Sequence, residues 1–308
     1  MFSPSPPPVG VLPGELPPGT ADLLRLVLYF DVFRHPVRPQ EAAWMCGGSV
    51  DDRVRAAVDA GLLQESQGFL VRPGRLATIQ RRRERTAHAE RLWPAAMRAA
   101  RVLARLPFVH GVFLTGGLSK QSSEPGGDAD FLLLVEPGCV WTTKTGLQVV
   151  RRVLPEAVRR LFCTNYLLST DALVLDDQDV YTGFELATAI PLAGASACTA
   201  FLAANGWSRR WIPGLDWAVE RAKGIPPGPR APSALAVAAR TMDQRLQGRW
   251  DRLWDEKYRW LPEDVRARRF KRSSARATNH LHDFRGFVVA EYRSRCLELG
   301  VDPLQEAL

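Results

Sequence analysis

Apolar residues Leu23, Leu26, Val27, Phe30 and Phe33 recur at three- and four-residue spacings, which predicts a helix over 21–33. His35-Pro36 ends it, because proline disfavours helix in the residue before it. A short helix is expected over 39–46 and a third over 52–60, with Ser49 to Asp52 as its polar cap and Gly61 as its stop. The segment 62–71 has strand character on both sides of Gln67-Gly68 and reads as a two-stranded ribbon. Residues 76–106 predict one long helix. From 107 the pattern changes to short apolar runs alternating with amphipathic ones. Strands are expected over 109–114, 129–135 and 161–168, and helices over 140–153 and 181–189. Gly116-Gly117 and Gly126-Gly127 mark turns, with a short helical start over 118–121. Beyond Pro191 the pattern is helical, interrupted by the Gly/Pro-rich segment 224–232.

This pattern divides the chain into a Pro/Gly-rich leader (1–20), a three-helix-and-ribbon unit (21–75), a linking helix (76–106), a β/α core (107–192) and a helical C-terminal region (193–308). The expected class is α+β, with a small mixed sheet flanked by helices. Three helices and a ribbon are the pattern of a winged helix-turn-helix, which can contact DNA through its third helix. That helix carries Arg53 and Arg55 beside Asp51, Asp52 and Asp59, so packing or protein contact is the alternative use.

Composition narrows the class. Of 308 residues, 46% are hydrophobic and 24% charged, a globular balance that excludes a disordered chain. No apolar run reaches the roughly 20 residues that span a bilayer, and the leader lacks the cationic and apolar regions of a signal peptide. The five cysteines form no CxxC or Cys/His cluster, which suggests reduced thiols and a cytoplasmic setting. Net charge is +8 with only five lysines, so the cations are nearly all arginine. A polyanionic ligand and a simple coding bias both account for that.

Candidate chemistry concentrates between 112 and 134. An apolar strand ends in Gly116-Gly117, where bare backbone can approach a phosphate and a helix start can point N–H groups at it. Ser119 and Lys120 follow in that first turn. The next strand opens with Asp128 and Asp130, which share a face because side chains alternate along a strand. Two adjacent carboxylates repel unless a cation lies between them. Magnesium suits the task, since it takes one or two carboxylates together with substrate phosphate oxygens.

Gly116-Gly117-Leu118-Ser119-Lys120-Gln121 followed by Gly127-Asp128-Ala129-Asp130-Phe131 resembles the signature of the DNA-polymerase-β-like nucleotidyltransferase superfamily. That signature has Gly-Gly or Gly-Ser after an apolar strand, a gap of about ten residues and Asp-x-Asp in the next strand. The wider chain also looks like uncharacterised bacterial proteins that place a winged-helix-like segment (Tyr29 to Pro36) before such a domain and share Cys163-Thr164-Asn165-Tyr166 and His280-Leu281-His282-Asp283.

The resemblance implies transfer of a nucleoside monophosphate from an NTP to an acceptor hydroxyl, with release of pyrophosphate. It implies Asp128 and Asp130 as catalytic carboxylates holding two Mg²⁺, and Gly116, Gly117, Ser119 and Lys120 as the triphosphate site. The acceptor is open: a small molecule, a protein or RNA, with DNA contact by the N-terminal unit and no membrane partner. The superfamily draws a third carboxylate from a later strand. Here that strand offers Asn165, a metal ligand through its oxygen but no base, while Asp171, Asp176, Asp177, Asp179 and Glu185 follow nearby. The alternative is therefore a catalytically weakened nucleotide-binding or sensor protein.

Overall fold

In the computed structural model the described residues are 16–226, 233–278 and 284–304. Residues 1–15 of the leader, 227–232 of the Gly/Pro segment and His280-Leu281-His282-Asp283 lie outside them. The chain divides into two compact units. One takes the described residues of Met1–Arg82, Arg209–Gly214 and Gly286–Leu308; the other takes those of Arg83–Ser208 and Leu215–Arg285. The stretch 193–308, read as a helical region, thus serves both units.

The first unit opens with α1 (Thr20–Val32), α2 (Pro39–Met45) and α3 (Asp51–Asp59), then β1 (Gln64–Ser66) and β2 (Phe69–Val71), which pair antiparallel. Gln67 and Gly68 both take left-handed backbone, the geometry a tight two-residue hairpin requires. Helix α1 is buried almost all round, from Leu23 to Phe30. Asp31 at its end is only 7% exposed and is neutralised by Arg72, Arg75 and Arg295. A carboxylate so deep persists only because cations surround it.

Helix α4 (Thr78–Leu103) follows. The second unit is built on β3 (Val109–Thr115), the one-turn α5 (Gly116–Ser119), β4 (Asp130–Val135), α6 (Val140–Val153), a short α7 (Glu156–Arg159), β5 (Cys163–Ser169), α8 (Val180–Thr188) and β6 (Ile190–Ala193). Then come α9 (Ala195–Ala204), α10 (Leu215–Lys223), α11 (Ser233–Lys257), α12 (Glu263–Arg269), β7 (Arg272–Ser273), β8 (Arg276–Thr278) and α13 (Arg285–Glu298). The sheet runs β6-β3-β4-β5-β8-β7. The β4–β5 pair is parallel and the other pairs antiparallel, so the sheet is mixed and the class is α+β.

Strand alternation separates the two faces. Phe131, Leu133 and Val135 of β4 join Val112, Leu114, Leu167 and Ala277 in one core. Ala96, Ala99, Ala100 and Leu103 of α4 and Trp141 of α6 cover it. Trp141 meets Trp254 of α11 edge-on at 6.0 Å and donates its N–H to Ser273 O at 2.8 Å. The other face carries Asp130 and Leu132 of β4. Phe113 of β3 packs on Phe201 of α9 at 5.4 Å. A cavity of about 260 Å³ lies over this second face, between the sheet and α8.

Three strands had no counterpart in the sequence reading: β6, β7 and β8. Strand β6 is an edge strand, the position in a sheet where a proline such as Pro191 is tolerated. Strand β8 pairs with β5, bringing residues from beyond 270 into the sheet one strand in from its β7 edge.

Candidate functional site

Asp130 is the first residue of β4 and lies opposite Thr115, the last residue of β3. That register sets the glycine bend beside the carboxylate. Gly116 has φ +68, and a Cβ built on it would lie 2.5 Å from Asp130 Oδ2. Gly117 is also obligatory, since a Cβ there would lie 2.6 Å from Ser122 O, where the following loop folds back. Only bare backbone fits between the bend, the loop and the acid.

Ala129 is fully buried in the tryptophan-covered core. Asp128 and Ala129 precede β4, which starts at Asp130 and not at Asp128; Asp128 is exposed and Asp130 half-buried. Burial pushes the Asp130 carboxyl up to about 6, and the charges of Asp128 and Glu185 push in the same direction. A hydrogen bond with Cys163 and the charge of Lys120 oppose them.

Asn165 also meets Asp130, donating from Nδ2 to Oδ1 at 2.6 Å. It is brought there by an irregularity in the ladder: Phe131 pairs with Thr164 but Leu132 pairs with Tyr166, so Asn165 is the extra residue of a bulge. Its oxygen, the expected ligand atom, accepts from Cys163 Sγ at 3.1 Å. Cys163, read from sequence as a core thiol, is half-buried and belongs to this cluster.

Ser119 donates to Gly116 O at 2.9 Å and Lys120 Nζ to the same oxygen at 3.0 Å. Lys120 also pairs with Glu185 of α8 at 2.9 Å. Glu185 and Asp177 are later carboxylates that share the cavity with Asp130. Asp177 and the other acids have different work. Asp179 caps α8 by accepting from Thr182 N at 2.8 Å. Asp177 pairs with Lys271 and Arg285, Asp176 with Arg276, and Asp171 accepts from Ser169.

The donors that Asp128 and Asp130 offer are hard oxygens, the ligand type magnesium takes. Among the described residues, no group of three or more His, Cys, Asp or Glu side chains is arranged to hold a metal.

Sequence reasoning missed the far wall of the cavity. Arg268, Arg269, Lys271 and Arg285 line it with Tyr166, Tyr181 and Phe284. The basic run Arg268-Arg269-Phe270-Lys271-Arg272 was visible, but nothing local ties it to Asp130. Among the described residues no helix is long and apolar enough to cross a membrane. Comparison of the chain with protein-family models, with curated proteins and with solved structures found no match in any of the three.

Proposed function

We propose that the chain transfers a nucleoside monophosphate from an NTP to an acceptor hydroxyl and releases pyrophosphate. The observation that carries this reading is the packing of the Gly116 bend directly against Asp130, whose carboxyl also feels the charge of Asp128. The bend offers bare backbone to the donor's phosphates, and the acids gather positive charge where phosphorus reacts. Asp128 and Asp130 would hold magnesium, which when bound neutralises charge on the phosphates.

The acceptor oxygen forms a bond to the α-phosphorus as the bond from that phosphorus to the α–β bridging oxygen breaks. Pyrophosphate leaves with the electron pair. The hydroxyl proton leaves to solvent water. Lys120 takes part by leaving Glu185 for the phosphates, because its ammonium is within one side-chain rotation of the bend it already touches.

The second reading, a nucleotide sensor, is favoured by one feature: Asn165 stands where a further carboxylate would complete the acid cluster. Calorimetry of Mg²⁺-NTP binding beside a pyrophosphate-release assay separates the two. Binding with release supports transfer, and binding without release over a panel of hydroxyl acceptors supports the sensor. Asp128→Ala, at an exposed position, should leave the melting temperature unchanged and abolish release. Full release in that variant would sink the transfer reading.

Gly116→Ala is a sharper probe of the bend. Left-handed backbone at a non-glycine residue costs about 1–2 kcal/mol, and the new methyl must displace the Asp130 carboxylate. Misplacing a reacting group by about an ångström lowers turnover on the order of 100-fold. Thermal melting and initial rates check both numbers.

A further inference from the structure

The outward sides of two helices in the second unit carry arginines that no acid neutralises. Residues 92–105 contain no Asp or Glu, and Arg98, Arg101 and Arg105 follow one another at three- and four-residue steps along α4 and the turn that ends it. Such steps put side chains on one side of a helix. On α11 Arg245, Arg249 and Arg252 are spaced in the same way. All six are exposed. Among the described residues none of their guanidinium groups has a hydrogen-bond, ion-pair or ring partner.

The acids of α11 are engaged elsewhere. Asp251 and Asp255 pair with Arg272, Glu256 pairs with Arg259, and buried Asp243 accepts from Thr142 N at 2.7 Å. The first unit is the contrast. A winged helix would meet DNA with α3, but there Arg55 pairs with Asp52 and Arg53 donates to Ser49 O. Arg72, Arg75 and Arg295 of that unit all face Asp31.

Both arginine rows point away from one core. Ala96, Ala99, Ala100 and Leu103 of α4 and Trp254 of α11 belong to the core on one face of the sheet. At 3.6 residues per turn the arginines lie about half a turn from these buried positions. The cavity lies over the other face. The inference drawn from the rows therefore goes beyond the transfer reading and does not rest on it.

Each row is about 10 Å long at a rise of 1.5 Å per residue. A nucleic-acid duplex presents about six phosphate charges over that length, both strands counted. The guanidinium fork matches two phosphate oxygens at once. Neither row contains an aromatic side chain on which an unpaired base could stack, as single-stranded ligands need. An anionic membrane needs apolar residues foremost and cations beside them. On α11 the order is reversed, with Leu235, Met242 and Leu253 flanking the arginine row.

We infer that the two rows bind double-stranded nucleic acid through its phosphates, without regard to base sequence or sugar. The test is fluorescence anisotropy on the full chain without NTP, using labelled DNA and RNA duplexes of about 20 base pairs, long enough to cover several phosphates per row. Both duplexes should bind at low salt. For DNA, log affinity against log salt should fall with a slope of about −5, at about −0.9 for each phosphate neutralised. The triple variant Arg245→Gln, Arg249→Gln, Arg252→Gln should reduce the slope to about −3, and so should Arg98→Gln, Arg101→Gln, Arg105→Gln. Lysine at the same positions should keep it, and melting curves check that each variant is folded.

Absence of duplex binding at low salt would overturn the assignment. So would wild-type affinity and slope in a folded glutamine variant of either row, or binding of only one of the two duplexes. Vesicles of phosphatidylserine and phosphatidylcholine in equal parts are the second probe. Flotation with them that depends on the arginines, without duplex binding, would replace nucleic acid by a membrane surface.

Discussion

Asp130→Asn is expected to abolish pyrophosphate release while raising the melting temperature. The two effects have one cause. Burial, helped by the charges of Asp128 and Glu185, lifts the Asp130 pKa from 3.8 to about 6. At about 1.4 kcal/mol per pK unit, holding the ionised form at neutral pH costs the apo fold about 3 kcal/mol. The sign follows from proton uptake. Between about pH 4 and 6 the folded state binds a proton that the unfolded state has released, so stability from this group falls as pH rises through that window.

Asparagine removes the charge and still accepts from Asn165, keeping the 2.6 Å contact. The variant's advantage over wild type should therefore be absent near pH 3, grow between 4 and 6, and level off above 7. A gain of half the cost corresponds to a rise in melting temperature of about 2–3 °C for a chain of 308 residues. Mg²⁺ should stabilise the wild type and leave the variant unmoved. A variant that melts lower than wild type at pH 7.5 would show that the charge is needed for folding, contrary to this account.

Lys144→Met should also stabilise, over the opposite pH range. Lys144 is 7% exposed on α6, with a long 3.5 Å hydrogen bond to Thr164 O and the face of Trp254 at 5.7 Å. Burial first, and the charge of Arg151 second, lower its pKa from 10.5 to about 8. Below pH 8 both folded and unfolded chains carry the proton, and the folded one bears a penalty of about 3 kcal/mol. From 8 to 10.5 the folded lysine is neutral while the unfolded one is still charged, so the penalty fades. Methionine has similar length and no charge. Its advantage should be near its maximum at pH 7 and largely gone by pH 10, read from denaturant midpoints. A loss of stability at pH 7 would mean that the bond to Thr164, the residue before the Asn165 bulge, outweighs desolvation.

The helices that could be read in the sequence were those whose burial pattern is local. Leu23, Leu26, Val27 and Phe30 announce α1 because a helix must hide one stripe, and Gln67-Gly68 announces the ribbon because few residues accept left-handed backbone. The apolar runs of β3 and β4 and the bend between them were legible for the same reason. Strand β8 was not. Arg276-Ala277-Thr278 has no strand pattern of its own and becomes a strand through its pairing with Tyr166 to Leu168, more than a hundred residues earlier. Strand β5 begins later than its apolar pattern suggests, at Cys163, because 160–162 form a 3₁₀ turn. Strand alternation was the ground for expecting Asp128 and Asp130 on one face, but β4 starts only at Asp130; the meeting of Lys120 with Glu185 depends on how α8 lies over the sheet, which no spacing encodes.

The position of β8 has a consequence for how the protein is made. A ribosome delivers the bend and the acid pair first, but the partner that covers the free edge of β5 emerges about a hundred residues later. Until then the nascent sheet presents an open ladder beside its most apolar strands, a template for pairing with the wrong chain. Chains truncated before Arg272 should accumulate as aggregates during translation.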